Sequence, residues 1–385
     1  MVDGIKNFEF GIPQKLFFGQ GSLKQLGEIL IMMKAKGVFI ISGPHLNKMG
    51  VVIKVADICI GVGVSVDVFT KTEANPSIET VKSATKAYKE SGADCIIALG
   101  GGSPMDVAKA VGVVARYGGC ITEYEGGGKV PGEIIPIIAI PTTAGTGSEV
   151  TTFSVITDHS RNYKFTVFSE WLLPSYAILD PDFITSVPAN IAAATGVDAM
   201  VHAIEAYISK ASNPFTDCMA EKALELLGAN IREFVSDRSN MKAAGAMLLG
   251  STFAGVAFNL ARLGNVHAMA HPVGGFFNVA HGVANAILLP ICMEYNAITD
   301  DGKYKKIYEY ISLRSANEDF NADILVEEIR NMTKALGIPQ SLSEVGVTKD
   351  RIPAMAKDAM KSGNILVNPR NTGWEDVIRL YELAM

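Results

Sequence analysis

The sequence predicts an α/β N-terminal domain with a parallel sheet, followed by an all-α C-terminal domain. The chain has 385 residues, which is more than one hydrophobic core usually spans. In the first half, short runs rich in Val and Ile alternate with segments of helical period, whereas long helical periods fill the second half. The stretch DPDFITSVP at residues 180–188 interrupts both patterns. We therefore expect the two domains to cover residues 1–185 and 186–385.

Composition and charge exclude several classes of protein. Apolar residues make up 48% of the chain, so a large core can form without disulfides. The formal net charge is −6 and there is no basic run, which argues against nucleic acid or an anionic membrane surface as a partner. The N-terminal segment lacks an apolar signal core, and no run reaches the roughly 18 apolar residues of a membrane span. The five cysteines form no CxxC pair, and we expect a cytoplasmic protein.

Four apolar runs of the first half are predicted to be buried strands, at residues 37–42, 64–69, 94–100 and 134–141. Segments of helical period lie between them, for example at residues 78–91 and 104–116. Strands that alternate with helices build a parallel sheet that is covered on both faces. Ligands bind such sheets beyond the carboxyl ends of the strands, so the loops that follow the strands are candidate binding sites.

The loop GGGSPMD at residues 100–106 follows a predicted strand and opens a helix. We expect Ser103 to be the N-cap, Pro104 to take the first helical position and Asp106 to close a capping box. Three consecutive glycines let backbone amides approach an anion, and the helix dipole adds positive potential, so a diphosphate would bind well there. The spacing is not GxGxxG, and a tight strand-to-helix turn is the alternative interpretation.

A second loop of similar character, PTTAGTGSE at residues 141–149, follows the next predicted strand. Its small hydroxyl residues and two glycines would present hydroxyls and amides at the same edge of the sheet. Two such loops favour an extended ligand that carries phosphates, so the domain is predicted to bind a dinucleotide. Gly43, after the strand at residues 37–42, has no carboxylate to repel a 2′-phosphate, so we expect NADP(H) to be accepted.

Long helical periods predict that the second half is entirely helical. The predicted helices cover residues 190–210, 217–237, 241–263, 284–298, 322–336, 349–362 and 373–385. The segment NVHAMAHPVGGFFNVAHGVANAILL at residues 265–289 holds three of the six histidines of the chain. Pro272, directly after His271, predicts a helix break or a kink at that point.

Four histidines and one aspartate are candidates for a metal site, namely His202, His267, His271, His281 and Asp198. Asp198 and His202 are four residues apart, so they project from the same face of a helix. A lone histidine is more often a core residue, but a carboxylate and several imidazoles together suit a divalent first-row metal. Three imidazoles and the carboxylate would leave a coordination position open on an ion such as Fe²⁺, and the fourth histidine would suit proton relay. The residues alone do not assign these roles.

Motifs along nearly the whole chain resemble those of the iron-containing, or group III, alcohol dehydrogenases, and most closely the lactaldehyde and 1,3-propanediol reductase branch. The matching segments are GQGSL at residues 19–23, NPS at 75–77, GGGSPMDVAKA at 100–110, PTTAGTGSEVT at 141–151, TGVDAMVHAIEAY at 195–207, the histidine-rich segment at 265–289 and NPR at 368–370. The resemblance implies the dehydroquinate synthase-like fold that this family shares, with a dinucleotide-binding α/β domain and a helical metal-binding domain.

The resemblance also assigns roles to residues. It implies that the Fe²⁺ ligands are Asp198, His202, His267 and His281, and that His271 is the catalytic proton-relay residue. It implies that the coenzyme groove is lined by Gly43, Asn75, Gly101, Gly102, Ser103, Asp106, Thr142, Thr143, Thr146, Thr151 and Lys164. Phe153 and Phe258 fall where family members shape the substrate pocket.

The activity implied is hydride transfer between a small primary alcohol or diol and NAD(P). We also expect a homodimer or a higher homo-oligomer, since the first strand or a helical face could pair with a second copy. Many NAD-using members carry Asp at the position of Gly43, so NADP(H) is favoured here and NAD(H) remains open. Zn²⁺ or another divalent ion is an alternative to Fe²⁺. Three alternatives remain for the function: a glycerol dehydrogenase-like zinc enzyme, a dehydroquinate synthase-like lyase, and a non-enzymatic, metal-stabilised nucleotide-binding protein. The lyase would need a basic cluster, whereas the predicted metal region is rich in Ala, Val, Gly and Phe.

Overall fold

The computed structural model describes residues 7–161 and 163–385. The strands of these residues are β1 (Lys15–Phe18), β2 (Gly37–Ile41), β3 (Ser65–Phe69), β4 (Cys95–Gly100), β5 (Gly126–Gly127), β6 (Ile137–Pro141), β7 (Phe153–Asp158), β8 (Tyr163–Phe168) and β9 (Tyr176–Leu179). The helices are α1 (Gln25–Met33), α2 (Pro44–Lys48), α3 (Val51–Gly61), α4 (Ile78–Ser91), α5 (Gly102–Tyr117), α6 (Ala189–Ile208), α7 (Pro214–Ser236), α8 (Met241–Ala261), α9 (Asn265–Phe277), α10 (His281–Asn296), α11 (Lys303–Ser312), α12 (Ala322–Ala335), α13 (Ile352–Ala359), α14 (Asn364–Val367) and α15 (Trp374–Leu383).

Six strands form a parallel sheet in the order β1-β9-β6-β4-β2-β3. Every residue of β2, β4 and β6 is buried, because these strands lie inside the sheet and carry almost only apolar side chains. Successive residues point to opposite faces, so Ile97 packs in one apolar cluster and Ile96 in another. The sheet is therefore covered on both faces, as predicted.

A second sheet of three strands was not predicted. β7 and β8 pair antiparallel, from Phe153 opposite Phe168 to Asp158 opposite Tyr163, and β5 joins β8 in parallel. In β7 the polar residues Ser154, Thr157 and Asp158 take buried positions, and in β8 Lys164 and Thr166 are half-buried, so the strand pattern is weak in the sequence. The hairpin matters because it carries Phe153 and Lys164, two of the predicted site residues.

The chain groups into two compact units. One unit consists of Gln14–Val187 and Arg238–Leu248, and it contains the parallel sheet. The other consists of residues 7–13, Pro188–Asp237 and Leu249–Met385, and its regular structure is helical. The predicted fold class is confirmed. The proposed domain boundary between residues 185 and 186 stays a prediction. Residues 7–13 belong to the helical unit and Arg238–Leu248 to the sheet unit, so no single boundary separates the two units.

Two of the described helices, α6 and α8, are long and apolar enough to cross a membrane by length and composition alone. In the most apolar window of α6, 83% of the residues are buried inside the protein, and in α8 67% are buried. Such burial is typical of helices in the core of a protein, so these helices are weak evidence for a membrane span.

Local sequence signals predicted the ends of some helices correctly. α4 spans Ile78–Ser91, as predicted, because Ser77 Oγ accepts a hydrogen bond from the Thr80 amide and Gly92 ends the helix with a left-handed backbone, φ 67°. By contrast, α9 continues through Pro272, so the helix does not break there, and the alternative, a kink, stays a prediction. Tertiary packing offsets the lost backbone hydrogen bond, since most of α9 is buried.

Candidate metal centre and coenzyme loops

Three helices of the helical unit bring the predicted metal ligands together. α6 carries Asp198 and His202 one turn apart, α9 carries His267, and α10 begins at His281. The side chains of Asp198, His202 and His267 are at most 5% exposed, which is rare for such polar groups unless they have partners.

Gly282 explains how α10 approaches α6 so closely. A Cβ at Gly282 would lie 2.2 Å from the carbonyl oxygen of Ala194 and 3.3 Å from Cβ of Asp198. Only glycine fits between these atoms, and the neighbouring His281 is thereby held next to Asp198. The absence of a side chain at Gly282 is therefore needed for His281 to reach the other candidate ligands.

Ligating atoms of Asp198, His267 and His281 all lie within 4.8 Å of one another. Oδ1 of Asp198 is 3.8 Å from Nε2 of His267 and 3.9 Å from Nε2 of His281. The His202 ring stacks on the His267 ring with 4.5 Å between centroids and 22° between planes. All four residues thus converge, although His202 reaches the group by ring contact and is not one of the three whose ligating atoms lie within that limit.

His271 and Phe258 border this group. The His271 ring stacks on that of His281 at 5.3 Å and lies edge-on to that of His267 at 6.4 Å. His271 is half-buried, so it lies at the border of the centre. Phe258 is buried and stacks on the His202 ring at 4.4 Å, so its ring covers one side of the imidazole group.

The donor set fits a cation. Nδ2 of Asn285 lies 2.6 Å from Oδ1 of Asp198, 3.0 Å from Nε2 of His267 and 3.2 Å from Nε2 of His281. An amide nitrogen carries two hydrogens, so it cannot satisfy three acceptors at once. Oδ1 of the same amide is buried and has no hydrogen-bond partner. A carboxylate and imidazoles converging on one point are better satisfied by a divalent cation.

Burial governs the protonation of these groups. It raises the pKa of Asp198, against the opposing effects of His202 and of the Asn285 hydrogen bond. It also lowers the pKa of His267 well below the usual value, and the neighbouring His202 and His281 lower it further. His267 is therefore held as neutral imidazole, which is the form that binds a metal. A cation would offset the cost of burying the Asp198 carboxylate.

Two residues of this centre were missed from the sequence. Glu205, on α6, lies with Oε2 at 2.6 Å from Nδ1 of His267, and burial raises its pKa to about 8. Asn285 is the other residue. Spacing could have indicated both, because Glu205 follows His202 by three residues and Asn285 follows His281 by four, and such pairs share a helix face.

The loop after β4 starts its helix earlier than predicted. α5 begins at Gly102, and its N-cap is Gly101, which offers no side-chain hydrogen bond. The expected roles of Ser103 as N-cap and Asp106 as the closing residue of a capping box are therefore wrong. The cause is that the helix begins at Gly102, so Ser103 is already helical. The first amides of α5 consequently have no side-chain cap, which suits binding of an anion.

Asp106 instead contacts the second loop. Its Oδ1 accepts a hydrogen bond from Ser148 Oγ at 3.2 Å, and its backbone oxygen accepts one from Ser154 Oγ at 2.8 Å. Burial raises the pKa of this carboxyl group, while Lys109 lowers it. Asp106 therefore links the loop after β4 to the loop after β6 through hydrogen bonds.

The two predicted coenzyme loops lie side by side. A Cβ at Gly101 would lie 3.0 Å from Oγ1 of Thr143, and one at Gly102 would lie 2.9 Å from Cγ2 of Thr146. The amide of Thr142 donates to the carbonyl oxygen of Gly100 at 3.0 Å. Glycine at residues 101 and 102 is therefore required by close packing between the loops as well as by any approach of phosphate.

Lys109 supports the second loop through hydrogen bonds. Its side chain is fully buried, and Nζ donates to the carbonyl oxygens of Ser148 and Phe153 at 2.8 Å each. It also donates to Ser148 Oγ at 3.0 Å and to Thr151 Oγ1 at 3.1 Å. Thr151 is thus occupied by a protein contact. The sequence signal for Lys109 was a lysine inside the apolar run VAKAVGVV.

The remaining predicted coenzyme residues lie on three separate segments. Lys164, on β8, donates to Oδ1 of Asn75 at 2.7 Å, and burial lowers the pKa of this lysine to about 8. Gly43 follows β2. Next to it, Ser42 Oγ and Thr72 Oγ1 are buried without a hydrogen-bond partner. Orphaned hydroxyls at the carboxyl end of β2 suit a polar ligand.

Phe153 stacks on Phe168 across the β7–β8 hairpin, with 5.0 Å between ring centroids. Phe153 belongs to the sheet unit and Phe258 to the helical unit. The structure therefore describes the two predicted pocket residues in separate settings, and their joint role in a substrate pocket stays a prediction.

Comparison with known proteins agrees with this picture. The model of the iron-containing alcohol dehydrogenases matches residues 13–181, and that of the C-terminal part of the Fe-containing alcohol dehydrogenase family matches residues 192–385. The chain is 37% identical over 381 residues to 1,3-propanediol dehydrogenase of Citrobacter freundii, and the match covers 98% of each. It is 38% identical over 379 residues to lactaldehyde reductase of Escherichia coli K12, covering 97% of this chain and 98% of the relative.

Two further matches extend the comparison. The chain is 34% identical over 378 residues to NAD-dependent methanol dehydrogenase of Bacillus methanolicus, covering 98% of this chain and 99% of the relative. The crystal structure of a 1,3-propanediol oxidoreductase superposes with a TM-score of 0.94 at 36% identity, covering 99% of this chain and all of the other. These matches span both units and include the segments that form the centre and the loops. The chain belongs to the iron-containing alcohol dehydrogenase family.

Proposed function

We propose that the chain transfers a hydride between a small primary alcohol or diol and NAD(P), and that it reduces the corresponding aldehyde in the reverse direction. The observation that carries the proposal is the convergence of Asp198, His267 and His281, with the His202 ring stacked beside them. Relatives that act on 1,3-propanediol, lactaldehyde and methanol support a short substrate with a terminal hydroxyl or carbonyl group.

The residues of the chain have separable tasks in this proposal. Asp198, His202, His267 and His281 would hold a ferrous ion, which supplies a Lewis acid for the substrate oxygen. The first amides of α5, at Gly101 to Ser103, would bind the coenzyme diphosphate. His271, half-buried beside His281, would move the proton between the substrate oxygen and solvent.

NADP(H) is the proposed preferred coenzyme, with NAD(H) also accepted. Gly43 places no carboxylate after β2, and the orphaned hydroxyls of Ser42 and Thr72 are donors for a 2′-phosphate or a ribose hydroxyl. The NAD dependence of the methanol dehydrogenase relative supports use of NAD as well.

Iron is proposed as the physiological ion. One carboxylate and three imidazoles leave a position open on a metal with more than four ligands, whereas the same donors would saturate a tetrahedral Zn²⁺ site. A zinc enzyme of the glycerol dehydrogenase type is the second candidate. The lyase and the non-enzymatic scaffold are not favoured, because the similar proteins are dehydrogenases and reductases.

We also propose a cytoplasmic homo-oligomer, a dimer or larger. β1 is the edge strand of the parallel sheet, and Leu16 and Phe18 on it are 40% and 45% exposed. An apolar edge strand is a site at which a second copy can add. Light scattering of the purified protein tests this proposal.

The experiment that tests the activity is an anaerobic panel of short alcohols, diols and aldehydes with NADH and NADPH in parallel. We expect oxidation of NAD(P)H with short aldehydes, loss of that activity after chelation, and recovery with Fe²⁺. Equal recovery with Zn²⁺ alone would favour the zinc enzyme, and a chain that oxidises neither coenzyme with any member would contradict the proposal.

A further inference from the structure

Glu205 is a buried carboxylate that the proposed reaction does not use. It lies on α6 after Asp198 and His202, and it is 3% exposed. We propose that Glu205 is a positioning residue of the metal centre, which orients the His267 ring and directs the Nε2 lone pair of that ring to the ion. This inference rests on the proposed function, because it requires a metal at the centre.

The contacts of Glu205 are concentrated on the first turn of α9. Oε1 accepts a hydrogen bond from the Val266 amide at 2.7 Å, and Oε2 lies 3.4 Å from the His267 amide. Oε2 also lies 2.6 Å from Nδ1 of the His267 ring. One carboxylate therefore fixes both the backbone and the ring of the same metal-binding residue.

This arrangement replaces an ordinary helix cap. Gly264 is the N-cap of α9 and has no side chain to offer. Oδ1 of Asn368, in the NPR motif, accepts a hydrogen bond from the Asn265 amide at 3.1 Å. A Cβ at Gly264 would lie 2.8 Å from that oxygen and 2.9 Å from Oε1 of Glu205. Two side chains from distant segments thus hold the start of α9, and Glu205 is the one that also contacts the ring.

The ring contact decides which nitrogen of His267 is available. An ion bound at Nε2 leaves the ring proton on Nδ1, and Oε2 of Glu205 lies where it can accept a hydrogen bond from that nitrogen. Nε2 is the nitrogen that lies 3.8 Å from Oδ1 of Asp198 and 3.0 Å from Nδ2 of Asn285. Carboxylates that accept from the distal nitrogen of a metal-binding histidine fix its tautomer and raise its basicity.

A glutamine at residue 205 separates this role from helix capping. Its one oxygen can still accept from the Val266 amide, so the cap is retained in part. Its NH₂ group would then face Nδ1 of His267 and donate to it, which moves the ring proton to Nε2 and blocks metal binding there. Aspartate keeps the charge but is one methylene shorter, so it restores the contact only in part.

The test is anaerobic titration of metal-free protein with Fe²⁺, together with the visible spectrum of the Co²⁺-loaded protein. We expect Glu205→Gln to weaken Fe²⁺ binding roughly 10–100-fold and to change the Co²⁺ spectrum, with Glu205→Asp in between. Coenzyme affinity, measured by fluorescence titration, should be unchanged in both variants. Glu294→Gln is the matched control, since Glu294 is exposed on α10, the helix that also carries His281.

Each outcome separates this inference from the proposed function. Wild-type affinity for Fe²⁺ and an unchanged Co²⁺ spectrum in Glu205→Gln would overturn it while leaving the metal centre intact. Should Glu205→Gln fail to fold, Glu205→Asp decides: weaker binding than wild type supports the inference, and equal binding overturns it. A wild-type protein that binds no divalent metal would contradict the proposed function itself, and this inference with it.

Discussion

Gly43 is the residue on which the proposed coenzyme preference depends, and the backbone does not require glycine there. Its φ of −93° and ψ of 161° are ordinary extended values that any residue adopts. A Cβ there would lie 3.4 Å from the carbonyl oxygen of Thr72, which is normal van der Waals contact. Neither conformation nor space demands glycine, so a larger side chain can be accommodated at this position.

Gly43→Asp is therefore expected to fold normally and to shift preference from NADPH toward NADH. The new carboxylate would repel a 2′-phosphate and accept hydrogen bonds from the ribose hydroxyls. We expect kcat/KM for NADPH to fall about tenfold or more, which is about 1.4 kcal/mol or more in transition-state free energy. Steady-state kinetics with both coenzymes measure this, with Gly43→Ala as the uncharged control. An unchanged NADPH to NADH ratio would place the 2′-phosphate elsewhere.

At the scale of elements, the predicted coenzyme loop at residues 141–149 is held by Lys109, which lies on the neighbouring helix α5. Nζ of Lys109, on α5, lies within hydrogen-bond distance of four oxygens of Ser148, Thr151 and Phe153, and its charge is buried beside Asp106. Loss of this brace should loosen the loop as a unit.

Lys109→Met keeps the volume of the side chain but removes the Nζ donor from two carbonyl oxygens and the neighbouring positive charge from the Asp106 carboxylate. We expect the free energy of unfolding to fall by about 3 kcal/mol. Coenzyme affinity should fall with it. Chemical denaturation and coenzyme titration measure both effects. The matched control is Lys82→Met, at an exposed position of α4, which we expect to change stability by less than about 0.5 kcal/mol. Equal stability of the two variants would contradict the bracing role.

Lys164 on the β7–β8 hairpin gives a pH dependence. Burial lowers its pKa to about 8, below the value of about 10.4 in an unfolded chain. The cost of holding this charge in the folded protein is therefore complete below pH 8 and disappears as the pH rises toward 10.4. Lys164→Met lacks this cost, so its stability relative to wild type should be highest below pH 8 and should decline above it. Denaturation of coenzyme-free protein between pH 7 and 10 checks the sign, and a difference that is constant or grows with pH would refute it.

Elements were predictable from the sequence where local signals agree. α4 has an N-cap serine, an amphipathic pattern and a C-terminal glycine, so its limits were found. For α9, Pro272 predicted a break or a kink, whereas packing and the contacts from Glu205 and Asn368 keep the helix continuous. The β7–β8 hairpin was missed because polar residues take buried positions in β7, which removes a clear alternation.

At the scale of the whole molecule, the candidate metal ligands tie together helices that are far apart in sequence. Asp198 and His202 come from α6, His267 from α9 and His281 from α10. A metal bound by the folded chain alone stabilises it by mass action. That these residues converge could be predicted because four of the six histidines cluster in two segments. Glu205 and Asn285 were missed, although spacing places each on a helix face with a candidate ligand.

Metal removal should consequently lower thermal stability. At a free metal concentration of about 100 times Kd, the stabilisation is about 2.7 kcal/mol. We expect the Tm of chelator-treated protein to fall and to recover on addition of Fe²⁺, and the recovery to be absent in Asp198→Asn. Calorimetry under anaerobic conditions measures this. A Tm that does not respond to chelation or to Fe²⁺ would mean that the ligands do not hold an ion in the folded state.

The most direct test of the central claim is the iron content of anaerobically purified protein and its His267→Ala variant, with activity measured on the same samples. His159→Ala, at an exposed position, is the control for loss of a histidine. We predict that wild type and His159→Ala hold one iron per chain and reduce a short aldehyde, whereas His267→Ala loses most of both. A His267→Ala protein that keeps its iron and its full activity would contradict the assignment of the metal centre.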